Sequence, residues 1–252
     1  MEPFTFARIL AVGGGARHAL ANARLGVDPD VIVAEEYTDA EAVIDTAVRH
    51  RCDLILARPR NGATFARDWL RQMLFESHCP VCVMPGGVTL SLERALVRLS
   101  LTPRGSRLLS LAASLIRSAG GEELLAVHNS FDYDVDEQPD IADSMRTRDE
   151  LAIYRFLARA HLWGVNVSPI REARPGEAKA LLGVARRRGA GLVIVDPGGD
   201  GGPAWQWNRR EVLKVATHSE VAVLSTGLSN DDRRWRRVLR ERVFTEREPK
   251  FS

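Results

Sequence analysis

The chain has 252 residues, 45% hydrophobic and 27% charged, with a formal net charge of +2. That composition excludes a disordered, collagenous or fibrous protein, and the near-neutral charge argues against a dedicated nucleic-acid binder. No stretch reaches the roughly 18–20 apolar residues of a membrane span, no basic-then-apolar leader opens the chain, and Cys52, Cys79 and Cys82 are too few for a disulfide scaffold. A cytoplasmic, reduced protein is expected.

Residues 227–252 hold eight Lys/Arg and five Asp/Glu, so that tail is +3 and the rest is −1. Only Lys179, Lys214 and Lys250 are lysine; the other 32 of the 35 basic residues are arginine. Codon bias in a GC-rich genome accounts for this, but it leaves few lysines as point-charge phosphate ligands or Schiff-base nucleophiles.

Short apolar runs alternate with helical patterns. Arg8–Val12 reads as a strand running into Gly13-Gly14-Gly15, and Val31–Glu35 as a second strand. Asp39–His50 puts Ala40, Val43, Ile44, Ala47 and Val48 on one helical face. Asp53–Ala57 is a strand, Ala63–Ser77 a helix and Pro80–Met84 a strand, closed by Pro85-Gly86-Gly87. The pattern then restarts with a strand at Ala95–Leu101, a helix at Ser106–Ala119 and a strand at Glu123–Asn129. Asp132–Asp143 reads as an acidic loop, Thr147–Trp163 as a long helix and Val165–Arg171 as a strand. A helix over Pro175–Arg188, a strand at Leu192–Asp196, a helix over Asn208–His218 and a last strand at Glu220–Ser225 complete it. Uniformly apolar strands alternating with helices imply parallel sheet covered on both faces.

The pattern repeats. At an offset of 138, Val43-Ile44 falls on Leu181-Leu182, Leu54-Ile55-Leu56 on Leu192-Val193-Ile194, and Pro59 on Pro197. The last strands align at 141, but the first strands at about 86, so the first unit lacks about 52 residues, enough for a helix, a strand and a helix. The expected organisation is a shortened unit over 1–88, a complete unit over 89–226 and a basic tail over 227–252. The first sheet should keep four strands, with its first two remaining strands adjacent. The second should have five in the order 3-2-1-4-5. The two should meet through Pro80–Met84 and Glu220–Ser225, the last strand of each, which otherwise leaves an open edge.

The order of landmarks resembles the universal stress protein family. The residues that carry the likeness are Ala95–Pro103, Leu125–His128, Ala178–Asp196, Ala40–Ala57 and the His78-Cys79-Pro80-Val81 start of a final strand. The resemblance implies an α/β fold of two doubly wound, parallel-sheet, Rossmann-like domains in tandem, the first lacking a helix-strand-helix segment. It also implies roles in stress response and association through the final strands.

Nucleotide-binding members of that family carry G-x-x-G, nine residues and G-[S/T] after the fourth strand, where backbone N–H groups and a helix N-terminus receive phosphate. Here Gly198 and Gly201 supply G-x-x-G within Gly198-Gly199-Asp200-Gly201-Gly202, but Arg210-Glu211 stands where Gly-Ser is expected. Asp200 opposes an anion, and Ser100 stands where an aspartate would hold the base. Ser100, Gly198, Gly199, Gly201 and Gly202 are therefore the candidate nucleotide residues, and the motif is degenerate. The first unit has Arg58-Pro59-Arg60-Asn61-Gly62 instead and lacks the first glycine.

Other constellations are weaker. Gly13-Gly14-Gly15 has His18 where a dinucleotide fingerprint needs a small residue, so a tight strand-to-helix turn is the default, with Glu35 or Glu36 as the acid a Rossmann reading would require. Cys79-Pro80-Val81-Cys82 opens an apolar strand rather than a helix, so it reads as two buried thiols on opposite faces; a zinc site would have to recruit Cys52 and His78. Asp196 ends a strand where open sheets place ligands, as base, metal ligand or loop hydrogen-bonding group. Trp205 and Trp207 read as loop aromatics, and 231–242 as a basic amphipathic helix.

The expectation is a non-enzymatic stress or regulatory protein that acts by protein association, as a homodimer or with a regulatory partner, with no metal and with ATP or AMP bound weakly or not at all. The alternative is an adenine-nucleotide sensor with slow hydrolysis. A redox or metal enzyme using Cys79 and Cys82 rests on their spacing alone.

Overall fold

The structure, a computed structural model, describes residues 6–21, 28–34, 39–58, 66–129, 139–172, 177–198 and 203–226. The first part of the chain runs β1 (Arg8–Val12), α1 (Ala16–Ala21), β2 (Asp30–Ala34), α2 (Ala40–Arg49), β3 (Leu54–Ala57), α3 (Arg67–Glu76) and β4 (Val81–Val83). The second runs β5 (Arg94–Arg98), α4 (Pro103–Ser118), β6 (Glu123–Asn129), α5 (Pro139–Arg159), β7 (Asn166–Glu172), α6 (Ala178–Arg188), β8 (Leu192–Val195), α7 (Pro203–His218) and β9 (Ala222–Ser225).

Among the described residues, nine strands form one sheet in the order β2-β1-β3-β4-β9-β8-β5-β6-β7. The first part contributes four strands with β1 beside β2, and the second five in the order 3-2-1-4-5, as the sequence predicts. Every pairing is parallel except β4 with β9, where Val81, Cys82 and Val83 lie antiparallel to Ser225, Leu224 and Val223. The contact between the two last strands is thus a hydrogen-bonded ladder that fuses two sheets into one. It abolishes both exposed edges at once. The outer edges are β2, half-exposed, and β7, which carries Pro169 where no ladder N–H is needed.

Strand alternation divides the core into two layers. Ile9, Leu54, Leu56, Cys82, Leu224, Ile194 and Leu124 face α1, α4 and α5. Leu10, Ile55, Val81, Val83, Val223, Val193 and Leu125 face α2, α3, α6 and α7. Both parts of the chain feed both layers, so the seam is continuous with the core. The guanidinium of Arg209 in α7 lies 4.8 Å over the ring of Phe75 in α3 and ties the seam's helical cover together.

Three helices begin earlier than the periodicity predicts. α4 starts at Pro103 rather than Ser106, α7 at Pro203 rather than Asn208, and α5 at Pro139, inside the segment read as an acidic loop. Proline suits a first helical position because the N–H it lacks has no intrahelical partner there. Thr102 caps α4 by accepting a hydrogen bond from the Gly105 N–H at 3.1 Å. α5 also ends earlier, at Arg159, and Trp163 beyond it takes a positive φ of 53° in the turn leading to β7. α3 is described from Arg67, α6 begins at Ala178, and Pro175 and the tail over 227–252 lie outside the described residues.

Candidate functional site

In an open α/β sheet, ligands bind beyond the carboxyl ends of strands where the order reverses. Here that is the crevice between β5 and β8 in the second part, and between β1 and β3 in the first.

The β5–β8 crevice is spanned by two of the chain's own side chains. Arg104, in the first turn of α4, grips Asp196, at the end of β8, with two parallel hydrogen bonds. Its Nε donates to Asp196 Oδ2 and its Nη2 to Oδ1 at 2.8 Å. The Arg104 side chain is 23% exposed and that of Asp196 10%, so water screens the pair only partly. Asp196 Oδ1 also accepts the Gly198 N–H at 3.1 Å. Arg104 lies so close over Gly198 that a β-carbon there would fall 1.5 Å from its Nη2. Gly198, offered by the sequence as a phosphate cradle, thus has its N–H bound to a carboxylate and its open side covered by a guanidinium. Ser100 sits on the other wall, its Oγ 3.2 Å from Thr102 Oγ1. The turn below is tight, since a β-carbon on Gly105 would fall 1.9 Å from the Ser100 carbonyl oxygen.

The β1–β3 crevice is crossed in a parallel way. Arg58 follows β3 at the position that Asp196 holds after β8, at the repeat offset of 138. Its Nη1 donates to the Gly15 carbonyl at 3.4 Å, and a β-carbon on Gly15 would fall 3.5 Å from its Cδ. Gly13 has a φ of 91°, and a β-carbon there would fall 2.1 Å from the Arg58 carbonyl oxygen. The glycine run is thus a strand-to-helix turn that lets β1 and β3 end in close approach.

The remaining candidates are dispersed. Gly199, Asp200, Gly201, Gly202, Glu35 and Glu36 lie outside the described residues. Trp205 and Trp207 belong to α7 rather than to a loop, because that helix begins at Pro203. Arg209 turns to Phe75. Glu211, which marked the failure of the phosphate pattern, is buried and bridges two helices. Its carboxylate accepts the Ala178 N–H at the start of α6 at 2.9 Å and the Lys214 ammonium at 2.6 Å. Burial opposes its charge, but these hydrogen bonds outweigh that and hold its pKa below the usual range.

Cys79, Cys82 and Cys52 are all buried and none forms a disulfide, and Cys82 faces the opposite core layer from the other two. Among the described residues no group of three or more His, Cys, Asp or Glu is placed to hold a metal ion. Burial pushes the Cys82 thiol from its ordinary 9.0 up to about 12. Thiol reagents at pH 8 should therefore leave Cys82 unlabelled in the folded protein and label it fully in denaturant. The raised folded pKa also fixes a sign. Cys82 favours the folded state below pH 9, and its contribution drains away between pH 9 and about 12, where only the unfolded thiol ionises readily. Alkaline urea titrations check this.

No family model and no curated protein matches the sequence. Solved structures do. A functionally unknown protein of Pseudomonas aeruginosa PAO1 aligns over 88% of this chain and 92% of its own at 14% identity, with a TM-score of 0.64. A putative universal stress protein of Pseudomonas aeruginosa UCBPP-PA14 aligns over 88% and 93% at 15% identity, with a TM-score of 0.61. A universal stress protein of Archaeoglobus fulgidus DSM 4304 aligns over 79% and 69% at 20% identity, with a TM-score of 0.51. The fold is that of the universal stress proteins.

Within this universal-stress-type fold, the last strands of the two parts are spent on each other, through the β4–β9 ladder. Association through final strands, which the sequence resemblance implies, is met inside one polypeptide. Among the described residues, no helix is long and apolar enough to cross a membrane.

Proposed function

We propose that the chain is a non-enzymatic universal-stress-type protein that acts in stress response or regulation by associating with other proteins, and that neither crevice serves as a working nucleotide site. The observation that carries this reading is the Arg104–Asp196 pair. A bidentate arginine–carboxylate bond satisfies both partners, so a triphosphate would have to break it and leave Asp196 as an uncompensated negative charge beside the ligand. At about 4 Å, like charges repel by roughly 1 kcal/mol in bulk water and about 4 kcal/mol at an intermediate dielectric, and about 1.4 kcal/mol is a tenfold loss of affinity. Arg58 over Gly15 and the Gly198 N–H bonded to Asp196 support the same reading.

Calorimetric titration with ATP and magnesium tests it. The expected result is no saturable binding with a dissociation constant under about 10 μM. A tighter constant would put the adenine-nucleotide sensor in first place.

A further inference from the structure

A second concave surface lies away from both crevices. It runs along the outer side of α6 and α7, reaches the amino ends of β8 and β9, and encloses about 690 Å³. Small-molecule sites span roughly 300–1,000 Å³. Lys179, Leu182 and Arg186 recur at helical spacing and so form one stripe of α6. Leu182 and Val221, half-buried against the core, give the floor its apolar character. Lys179 and Arg186 are exposed at the rim, and Lys214 joins them from α7. Among the described residues the rim's one carboxylate is Glu220; the Lys214 ammonium is shared with Glu211, and His218 Nδ1 lies 2.9 Å from the Lys214 carbonyl. The lining is therefore apolar below and net positive above.

The lysines sharpen this. In a chain where 32 of 35 basic residues are arginine, two of the three lysines line this one groove. An ammonium holds a carboxylate as a point charge on a flexible stem and a guanidinium holds it as a two-pronged fork, so Lys179, Lys214 and Arg186 can all reach a small anionic head whose position the floor sets. The groove is half open and its volume is that of a small-molecule site, whereas a stable protein interface needs about 800 Å² on each partner.

We infer that the groove binds a free amphipathic anion, an acyl carboxylate of medium chain length, with its tail on Leu182 and Val221 and its head at the Lys179–Arg186–Lys214 rim. This is independent of the nucleotide reading. Decanoate is the probe, titrated into the full chain by calorimetry. The expected result is one saturable site with a dissociation constant of about 100 μM or tighter. Acetate, a head without a tail, and decyltrimethylammonium, a tail with the opposite charge, should not bind. The Lys179→Glu/Arg186→Glu variant should bind at least tenfold more weakly. A second readout uses the native chain, so it survives a variant that fails to fold: decanoate should slow acetylation of Lys179 and Lys214 by N-acetoxysuccinimide several-fold, with Lys250 as the internal control. No saturable binding up to 1 mM decanoate, equal binding of decyltrimethylammonium, or uniform acetylation of all three lysines would overturn the proposal. So would sedimentation with phosphatidylglycerol vesicles without binding of free decanoate, which would mark a membrane surface instead.

Discussion

Val223→Asp is expected to lower the unfolding free energy by more than about 4 kcal/mol and to split a single urea transition into two. Val223 has no exposed surface, pairs with Val83 across the seam and with Val193 on its other side, and faces the layer under α3 and α7. A carboxylate there has apolar neighbours on both flanking strands, so it must either ionise unpaired or stay protonated at a large free-energy cost. β4 is only three residues long, so the ladder has little to offset that loss. Val81→Asp, at 1% exposure on the facing strand, should behave alike. Val33→Asp, on the half-exposed edge β2, should change stability by no more than about 0.5 kcal/mol. Unchanged transitions for Val223→Asp and Val81→Asp would show that the β4–β9 seam does not couple the two parts.

Asp196→Ala should cost about 2–3 kcal/mol, somewhat below the 3–5 kcal/mol of a fully buried pair because Arg104 keeps some contact with water. The loss has two sources. Arg104 is left beside the positive N-terminus of α4, and the Gly198 N–H loses its acceptor. Arg104→Met removes the other partner, and the double variant should recover part of the loss, because no isolated charge remains. A double-mutant cycle in urea reads this as a coupling of about 1–3 kcal/mol. Additive effects would mean that the two side chains do not act as a pair.

Strand order was legible because it rests on local signals: apolar runs of four or five residues such as Leu54–Ala57 and Leu192–Val195, and a repeat that places them in corresponding slots. Helix starts were less so. Pro103, Pro139 and Pro203 look like punctuation in a linear reading, yet each occupies a first helical turn, where its missing N–H costs nothing. The crevice was legible only by half. Asp196 announces itself at the end of an apolar strand, but its partner Arg104 lies 92 residues away and reads as an ordinary arginine opening a helix. No local pattern couples them. Glu211 did leave a signal: four residues before the buried Val215, it falls on the apolar stripe of α7, a place where a carboxylate must find donors.

The measurement that bears most directly on the self-closed crevice is the nucleotide content of the freshly purified protein, by absorbance at 260 nm and mass spectrometry of the denatured extract. Arg104 and Asp196 holding each other across β5 and β8 predict no stoichiometric adenine nucleotide. One equivalent of ATP or AMP carried through purification would contradict it.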